Sequence, residues 1–193
     1  MLFVEYSFRR SRLPSNCSTL HGIAANAAAV IAIAMCGVGT ATADTVSRSA
    51  TVQGAPSAVW ALIGPFCAIR DWLPPVGTCS EDGATPPTRT LVTKDGAATF
   101  VERQTARRDD RQFYSYTFLS SPLPVTRYNS TIRVSALRHG RSRVTWRGSY
   151  QPFPGKAHIA RDALEKIYAA GLDSIRTQAK QRSERVAATG ATP

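Results

Sequence analysis

Between residues 76 and 150 the chain alternates apolar and polar positions in short runs, a period of two that is typical of strands with one buried face. The runs are separated by Asp-Gly, Asp-Asp and His-Gly pairs and by a proline-rich segment, and tight glycine-containing breaks of this kind indicate hairpins. The pattern predicts an antiparallel meander of six strands over residues 76–81, 89–93, 99–107, 112–119, 128–137 and 143–150.

Helical signals flank the meander on both sides. Residues 45–53 alternate like the later strands and predict a first strand, after which Pro56 favours the first turn of a short helix. A second short helix is predicted over residues 66–72 and ends at a proline pair. Beyond the last strand, apolar residues recur at spacings of three and four, which predicts a long amphipathic helix over residues 157–182.

This order of elements predicts an α+β fold. A curved antiparallel sheet of seven strands can wrap around the long C-terminal helix, with the two short helices after the first strand, and the space between sheet and helix is either core or cavity. A chain of this length buries one modest core, so we expect one domain over residues 44–185 and a flexible tail over residues 186–193.

Residues 1–43 have the three parts of an export signal. Three arginines make the start basic, residues 22–38 form an apolar run, and small residues up to Ala43 suit a signal peptidase. We predict cleavage after Ala43 and a mature protein in the periplasm or outside the cell. The alternative is an uncleaved membrane anchor, although the run barely reaches the length of about 20 residues that a spanning helix needs.

Export would sort the four cysteines into two pairs. Cys17 and Cys36 belong to the predicted leader, which leaves Cys67 and Cys79 as an even pair in an oxidising compartment. A disulfide between them would close a short loop and stabilise the fold by about 3 kcal/mol in the chain-entropy description. The alternative is two buried thiols that pack as small apolar groups.

The whole chain carries a net charge of +11, and the leader removes three arginines and one glutamate, so that 21 basic and 12 acidic residues remain. This excess favours anionic partners such as a membrane surface or an acidic partner protein. It does not indicate a nucleic-acid partner, because the arginines are scattered among the predicted strands and because export separates the protein from DNA. The alternative is an ordinary solvated basic surface.

Particular residues along the mature chain carry a resemblance to known proteins. They are Trp60, the run 66–69, Trp72, Leu73, Pro74, Cys79, Arg89, Gly96, Glu102, Arg103, Tyr116, Pro122, Leu123, Pro124, Tyr128 and Trp146. In order and spacing these residues resemble the helix-grip superfamily, also called START-like or SRPBCC, over about residues 45–180. The bacterial polyketide cyclase/dehydrase-like branch is the most similar, and the plant abscisic-acid receptors are more distant.

The resemblance implies an internal cavity for a small ligand, and it supplies candidate lining residues: Leu73, Arg89, Glu102, Tyr116, Leu123, Pro124, Tyr128, Trp146, Tyr150, Leu164 and Tyr168. Glu102 falls where a carboxylate of the plant receptors touches ligand or water, and Leu123 and Pro124 fall in their mouth loop. Leu73 stands about where those receptors carry a lysine that pairs with the ligand carboxylate, so the resemblance does not imply an anionic ligand here.

The residues themselves leave alternatives open. Glu102 lies on the same strand face as Phe100, beside other faces that are rich in aromatic residues, and such faces ordinarily form core. In that case Glu102 forms a structural ion pair with Arg89 or Arg103 instead of meeting a ligand. Gly171 in the long helix makes room either for a ligand or for a closely packed strand.

The residue inventory does not favour metal or covalent chemistry. After the leader only His139 and His158 remain, and no Gly-x-Ser-x-Gly turn is present, so we expect no metal and no cofactor. The favoured function is an exported protein that binds an apolar or amphipathic molecule, lipid-like or polycyclic. One alternative is a polyketide cyclase/dehydrase-like enzyme with Glu102 as acid and base. Another is a periplasmic accessory protein that docks on a partner or a membrane.

Overall fold

The computed structural model describes residues 43–190, which form a seven-stranded antiparallel sheet and a long C-terminal helix. The strands are β1 (Asp44–Gln53), β2 (Val76–Glu81), β3 (Thr88–Thr93), β4 (Thr99–Arg108), β5 (Phe113–Ser120), β6 (Val125–Ala136) and β7 (Arg141–Pro152). Their spatial order is β1-β7-β6-β5-β4-β3-β2, so β2 to β7 form the predicted meander and β1 pairs with β7. The predicted leader, with Cys17 and Cys36, lies outside the described residues except for Ala43.

Four helical elements complete the fold of residues 43–190: α1 (Pro56–Ile63), a 3-10 turn (Phe66–Ala68) that leads directly into α2 (Ile69–Trp72), and α3 (Ala157–Thr189). A proline starts α1, because the first helical residue has no intrahelical hydrogen bond to lose. The predicted fold class, an α+β helix-grip fold, is confirmed. None of the described helices combines the length and the apolar character needed to cross a membrane.

The start of β6 differs from the prediction for a local reason. The strand begins at Val125 instead of residue 128, and the pairing register with β7 shifts between Thr126 and Asn129. Arg127 lies in this bulge with φ +50°. A bulge interrupts the alternation of inward and outward side chains, so the sequence pattern indicated a loop where the strand continues.

The end of α3 also differs from the prediction. The helix continues to Thr189 instead of residue 182 and thus includes part of the segment 186–193, for which the sequence predicts a flexible tail. Alanines in this stretch favour a helix, and the helix ends at Gly190, which adopts φ +63°. Residues 191–193 lie outside the described residues.

The inner face of the sheet is aromatic from β5 to β7. Tyr114, Tyr116, Tyr128 and Trp146 are each at most 3% exposed, and each belongs to the inward-facing set of its strand. The ring of Trp146 stacks on Tyr168 of α3 with centroids 4.2 Å apart. The long helix therefore lies directly against the sheet at this point.

Gly171 of α3 makes this close approach possible. A Cβ atom at this position would lie 2.8 Å from the ring of Trp146 and 3.1 Å from a methyl group of Leu73. Cβ atoms do not approach other non-bonded atoms as closely as 2.8 Å, so any larger residue at position 171 would push the helix away from the sheet. The glycine therefore makes room for the close approach of Trp146 from β7 and of Leu73.

A disulfide joins Cys67 of the 3-10 turn to Cys79 of β2, with the two Cα atoms 5.5 Å apart. The backbone amide of Cys67 also donates to Oε1 of Glu81 at 3.1 Å. The 3-10 turn is thus held to the edge strand of the sheet both covalently and by a hydrogen bond.

Candidate functional site

A cavity of about 310 Å³ lies between the inner face of the sheet and α3. Its walls include Leu91 from β3, Phe100 from β4 and Phe118 from β5, with Leu164 and Ile167 from α3 opposite them. This volume is at the lower end of the range for small-molecule sites, which is about 300–1,000 Å³. Because it is apolar and enclosed by both layers of the fold, the cavity is the candidate functional site.

Most of the lining residues expected from the resemblance meet around this cavity. Seven of the eleven line it: Leu73, Glu102, Tyr116, Leu123, Tyr128, Trp146 and Leu164. They come from seven different elements or loops, which the sheet order and α3 bring together. Leu123 is the residue of the expected mouth loop that lines the cavity, and its backbone amide donates to Oγ of Ser121 at 3.1 Å.

The other four of the eleven expected residues do not line this cavity: Arg89, Pro124, Tyr150 and Tyr168. Arg89 lies behind Glu102, and the hydroxyl of Tyr168 is turned towards Tyr128. The carbonyl of Pro124 accepts a hydrogen bond from the amide of Phe153. Tyr150 is fully buried where β7 pairs with the start of β1. These four residues therefore lie outside the cavity wall, and three of them, Arg89, Tyr150 and Tyr168, are buried in the surrounding core.

Glu102 is the one carboxylate among the lining residues, and it is paired with Arg89. The two residues are directly opposite each other on β4 and β3, and they are only 4% and 0% exposed. Nε of Arg89 donates to Oε2 of Glu102 at 2.6 Å, and Nη2 lies 2.6 Å from the same oxygen. Of the two ion pairs that the sequence left open, the pair with Arg89 is formed, whereas Arg103 points to solvent.

Aromatic rings surround the guanidinium of Arg89. Its central carbon lies 4.0 Å from the ring centroid of Phe66 and 5.0 Å from that of Tyr116, and Nη1 donates to the carbonyl of Phe66. Burial alone would lower the pKa of Arg89, but the carboxylate of Glu102 raises it above its usual range. Burial raises the pKa of Glu102, and Arg89 opposes part of that rise. Since the guanidinium keeps its proton, Glu102 meets it as a carboxylate.

The second oxygen of Glu102 has a different environment. Both contacts from Arg89 fall on Oε2, and within residues 43–190 no hydrogen bond reaches Oε1. Because Glu102 is part of the cavity wall, Oε1 is an acceptor that a ligand hydroxyl or amine could use.

Several other polar atoms at the cavity are bonded to one another. The hydroxyl of Tyr168 lies 2.7 Å from that of Tyr128 and 2.8 Å from Oγ of Ser130. Nε1 of Trp146 donates to Ser130 at 3.0 Å and to the hydroxyl of Tyr116 at 3.1 Å. Burial raises the pKa of all three phenols above 10, so they stay neutral at physiological pH. Sequence reasoning missed Ser130, although it shares the inner face of β6 with Tyr128.

Ten further lining residues were not among those expected: Ile69, Pro75, Val76, Leu91, Thr93, Ala98, Phe100, Phe118, Pro122 and Ile167. Two of their rings shape one wall, because Phe118 stacks on Tyr128 with centroids 3.8 Å apart and Phe100 tilts against Phe118 at 5.9 Å. The strand period alone places both rings on candidate inner faces, since Phe100 shares a face with Glu102 and Phe118 with Tyr116, although neither ring was among the eleven expected residues.

This arrangement can hold an apolar molecule without covalent chemistry. The wall is aliphatic and aromatic apart from Glu102, Thr93 and the hydroxyl or indole groups that are already bonded to one another. Residues 43–190 contain no group of three or more His, Cys, Asp or Glu side chains that could hold a metal ion.

Several solved structures are similar to this chain. They include the protein XoxI from Bacillus cereus, with 30% identity and a TM-score of 0.68 over 72% of this chain and 97% of that one. A protein from Thermobifida fusca has 26% identity and a TM-score of 0.64 over 71% and 93% of the two chains. The Zhui aromatase/cyclase from Streptomyces sp. R1128, at 17% identity and a TM-score of 0.60 over 74% and 96%, shares the fold. No curated protein matches the sequence.

A family profile agrees with these structural similarities. The profile described as "Polyketide cyclase / dehydrase and lipid transport" matches residues 43–180. The matched segment contains all seven strands, both short helices and most of α3, and therefore every residue that lines the cavity. The chain belongs to the polyketide cyclase/dehydrase and lipid transport family.

Proposed function

We propose that this protein is an exported binding protein that holds a small apolar or amphipathic molecule, lipid-like or polycyclic, in the cavity between the sheet and α3. The observation that carries the proposal is the cavity itself, about 310 Å³ in volume and walled mainly by aliphatic and aromatic side chains. Apolar walls with one or two fixed polar groups are the usual form of a small-molecule site.

The polar groups of the cavity wall restrict the kind of ligand that can bind. Oε1 of Glu102 attracts a hydroxyl or a cationic nitrogen and repels a carboxylate, while Arg89 lies behind Glu102 and does not line the cavity. Leu73 adds an apolar contact where the plant receptors carry a cation. The ligand that fits best is therefore neutral or cationic, with a hydrogen-bond donor that meets Glu102.

Export is the second part of the proposal. It rests on the predicted leader over residues 1–43, and the bond between Cys67 and Cys79 is compatible with an oxidising compartment. Expression in the native host, followed by mass measurement of the recovered protein, tests cleavage after Ala43. A chain that retains the apolar run 22–38 would contradict it.

Binding can be tested with N-phenyl-1-naphthylamine, a neutral apolar dye that fluoresces on leaving water. We expect saturable binding by the purified protein, and we expect Leu123→Trp to weaken it at least tenfold because the indole would fill the cavity mouth. Leu119→Trp is the matched control, since Leu119 is 49% exposed and is not part of the cavity wall. Equal binding by both variants would contradict the proposal, and native mass spectrometry would reveal a retained natural ligand.

A second candidate function is acid–base catalysis of the cyclase/dehydrase type. The raised pKa of Glu102 and its free Oε1 favour it, whereas the charge of Arg89 makes Glu102 a poorer proton donor. Glu102→Asp keeps the charge near Arg89 but withdraws the carboxylate from the cavity. If the protein turns over a linear polyketone, this variant should lose turnover by at least 100-fold, on the order expected for a lost general base, while it still binds the dye.

A further inference from the structure

Arginines that are scattered along the sequence come together on the outer face of the sheet. Arg141, Arg143 and Arg147 of β7 alternate with the buried residues of that strand, so they point away from the cavity, and all three are exposed. Arg133 of β6 is exposed on the same side and lies opposite Thr145 of β7. We refer to these four residues as the arginine face.

The strand register defines what surrounds these arginines. Arg147 lies between Ser47 of β1 and Thr131 of β6, and Arg143 lies in the same way between Thr51 and Ser135. Strands are about 4.8 Å apart and rise about 3.4 Å per residue, so Arg143 and Arg147 are roughly 13 Å apart. Arg133 lies one strand away, midway between them. The arginine face is therefore a broad cationic surface in which serine and threonine hydroxyls lie beside the arginines.

No acidic side chain neutralises this surface. None of the outward positions next to the arginine face on β1, β5, β6 or β7 is Asp or Glu, and its four arginines form no ion pair within residues 43–190. Arginines elsewhere do pair, for example Arg48 with Glu165 at 2.7 Å. The positive charge of the arginine face is therefore not compensated by acidic side chains of residues 43–190, and the face is open to an anionic partner.

We propose that the arginine face adsorbs on a membrane surface that carries anionic phosphate headgroups. All four cations are arginine, whose planar guanidinium binds phosphate oxygens in pairs, and the flanking serine and threonine hydroxyls can donate to the same groups. A broad surface of spaced cations matches a layer of repeated phosphates.

The composition of the arginine face does not match two other macromolecular partners. Protein interfaces contain buried aromatic or aliphatic anchors, and single-stranded nucleic acids stack on exposed rings. The outward ring beside the arginine face is Phe113, and the guanidinium of Arg133 covers it at 4.3 Å from the ring centroid. Because the arginine face and the cavity lie on opposite sides of the sheet, adsorption leaves the cavity walls uncovered.

The test is sedimentation of the purified protein with vesicles of equal parts phosphatidylglycerol and phosphatidylcholine. We expect binding at about 50 mM salt and its loss at about 500 mM, where the screening length is much shorter. The triple change Arg133→Gln, Arg143→Gln, Arg147→Gln should weaken binding on the order of 100-fold, since each surface cation contributes about a factor of five. Vesicles of phosphatidylcholine alone should not bind.

The matched control removes the same charge elsewhere. Arg70→Gln, Lys180→Gln, Arg185→Gln changes exposed residues of α2 and α3, and we expect a loss of less than about fivefold. Equal losses in the two triple variants, or tighter binding to duplex DNA than to the anionic vesicles, would overturn the proposal. Circular dichroism shows that each variant is folded. Dye binding is measured without vesicles, and the part of it that Leu123→Trp removes reports on the cavity, so failure of adsorption and failure of the binding function are distinguishable.

Discussion

The interior of this protein has two ends that share one sheet but are built differently. At the filled end, the guanidinium of Arg89 lies over the ring of Phe66, the first residue of the 3-10 turn, 4.0 Å from the ring centroid. At the open end, walls that include Phe100 and Phe118 enclose about 310 Å³. Glu102 stands at the boundary, because Arg89 holds one of its oxygens while the residue lines the cavity.

The difference teaches how a close-packed fold keeps a cavity open. Protein interiors normally pack at the density of organic crystals, so a void persists only where the groups around it cannot move in. Here Glu102 is anchored by Arg89, and the hydroxyl of Tyr128 is anchored by Tyr168 at 2.7 Å. Polar partners that do not themselves line the cavity therefore fix the positions of side chains that do.

The largest effect is expected from breaking the anchor at the boundary. Glu102→Gln leaves the charge of Arg89 buried without a counterion, and the free energy of unfolding should fall by about 3–5 kcal/mol. Urea denaturation followed by tryptophan fluorescence measures this change. The double variant Arg89→Met, Glu102→Leu removes both charges and should recover most of the loss.

An exposed ion pair provides the control for this prediction. Glu165→Gln breaks the contact between Glu165 and Arg48, whose oxygen and nitrogen are also 2.7 Å apart but lie in solvent. We expect a change much smaller than that of Glu102→Gln, because water screens the exposed pair. Equal losses in the two variants would contradict the view that burial of Arg89 makes the pair important.

Alkaline pH should weaken the phenols that anchor the cavity wall. The pKa of Tyr116, Tyr128 and Tyr168 is raised in the folded protein above the ordinary value of 10.0 because their hydroxyls are buried. Their contribution to stability is complete below pH 10 and is lost as the pH rises further, at about 1.4 kcal/mol per phenol for each pH unit.

Absorbance of the phenolate near 295 nm and circular dichroism, recorded together, measure this alkaline transition. We expect the phenols to ionise as the protein unfolds. Tyr168→Phe removes one phenol, so the free energy of unfolding should fall less steeply with pH, by about 1.4 kcal/mol for each pH unit. Ionisation of all the phenols at pH 10 in a protein that stays folded would contradict their burial.

The disulfide belongs to the filled end, and its removal should affect stability more than binding. Changing both Cys67 and Cys79 to serine should lower the free energy of unfolding by about 3 kcal/mol, because the unfolded chain regains the freedom of an open loop. The dye affinity should change by less than about twofold, since neither cysteine lines the cavity. A large loss of dye binding in a folded variant would mean that the 3-10 turn also shapes the open end.

The fold could be predicted because its signals are local. Alternation over β2 to β5, hairpin breaks and the spacing of apolar residues along α3 each act within about ten residues. The bulge at Arg127 hides the start of β6, since it interrupts the alternation that the pattern relies on. The sequence predicted too early an end for α3, because the prediction followed the apolar face of the helix. Beyond that face the alanines still favour a helix.

The site could be predicted only in part, because contacts between distant elements are not written in any one segment. The resemblance indicated Glu102, Tyr116 and Trp146, and the strand period placed Phe100 on the same face as Glu102. The arginine face was missed because its residues are scattered in sequence and meet only through the strand register. For the same reason the sequence did not decide between Arg89 and Arg103 as the partner of Glu102, although alternation already turns Arg103 outward.

The smallest effect on stability is expected at the mouth of the cavity. Leu123→Ala removes apolar contact from a half-buried side chain beside a void, and the free energy of unfolding should fall by less than about 1 kcal/mol. Ile63→Ala is the comparison, because Ile63 of α1 is fully buried in packed core and its truncation should cost about 2–5 kcal/mol. In dye binding the order should reverse: Leu123→Ala should speed dissociation severalfold by widening the mouth, whereas Ile63→Ala should leave the rate nearly unchanged. Stopped-flow dilution measures the dissociation rate. If Ile63→Ala had the larger effect on both the free energy of unfolding and the dissociation rate, packing and ligand retention would not be divided between the two ends of the interior.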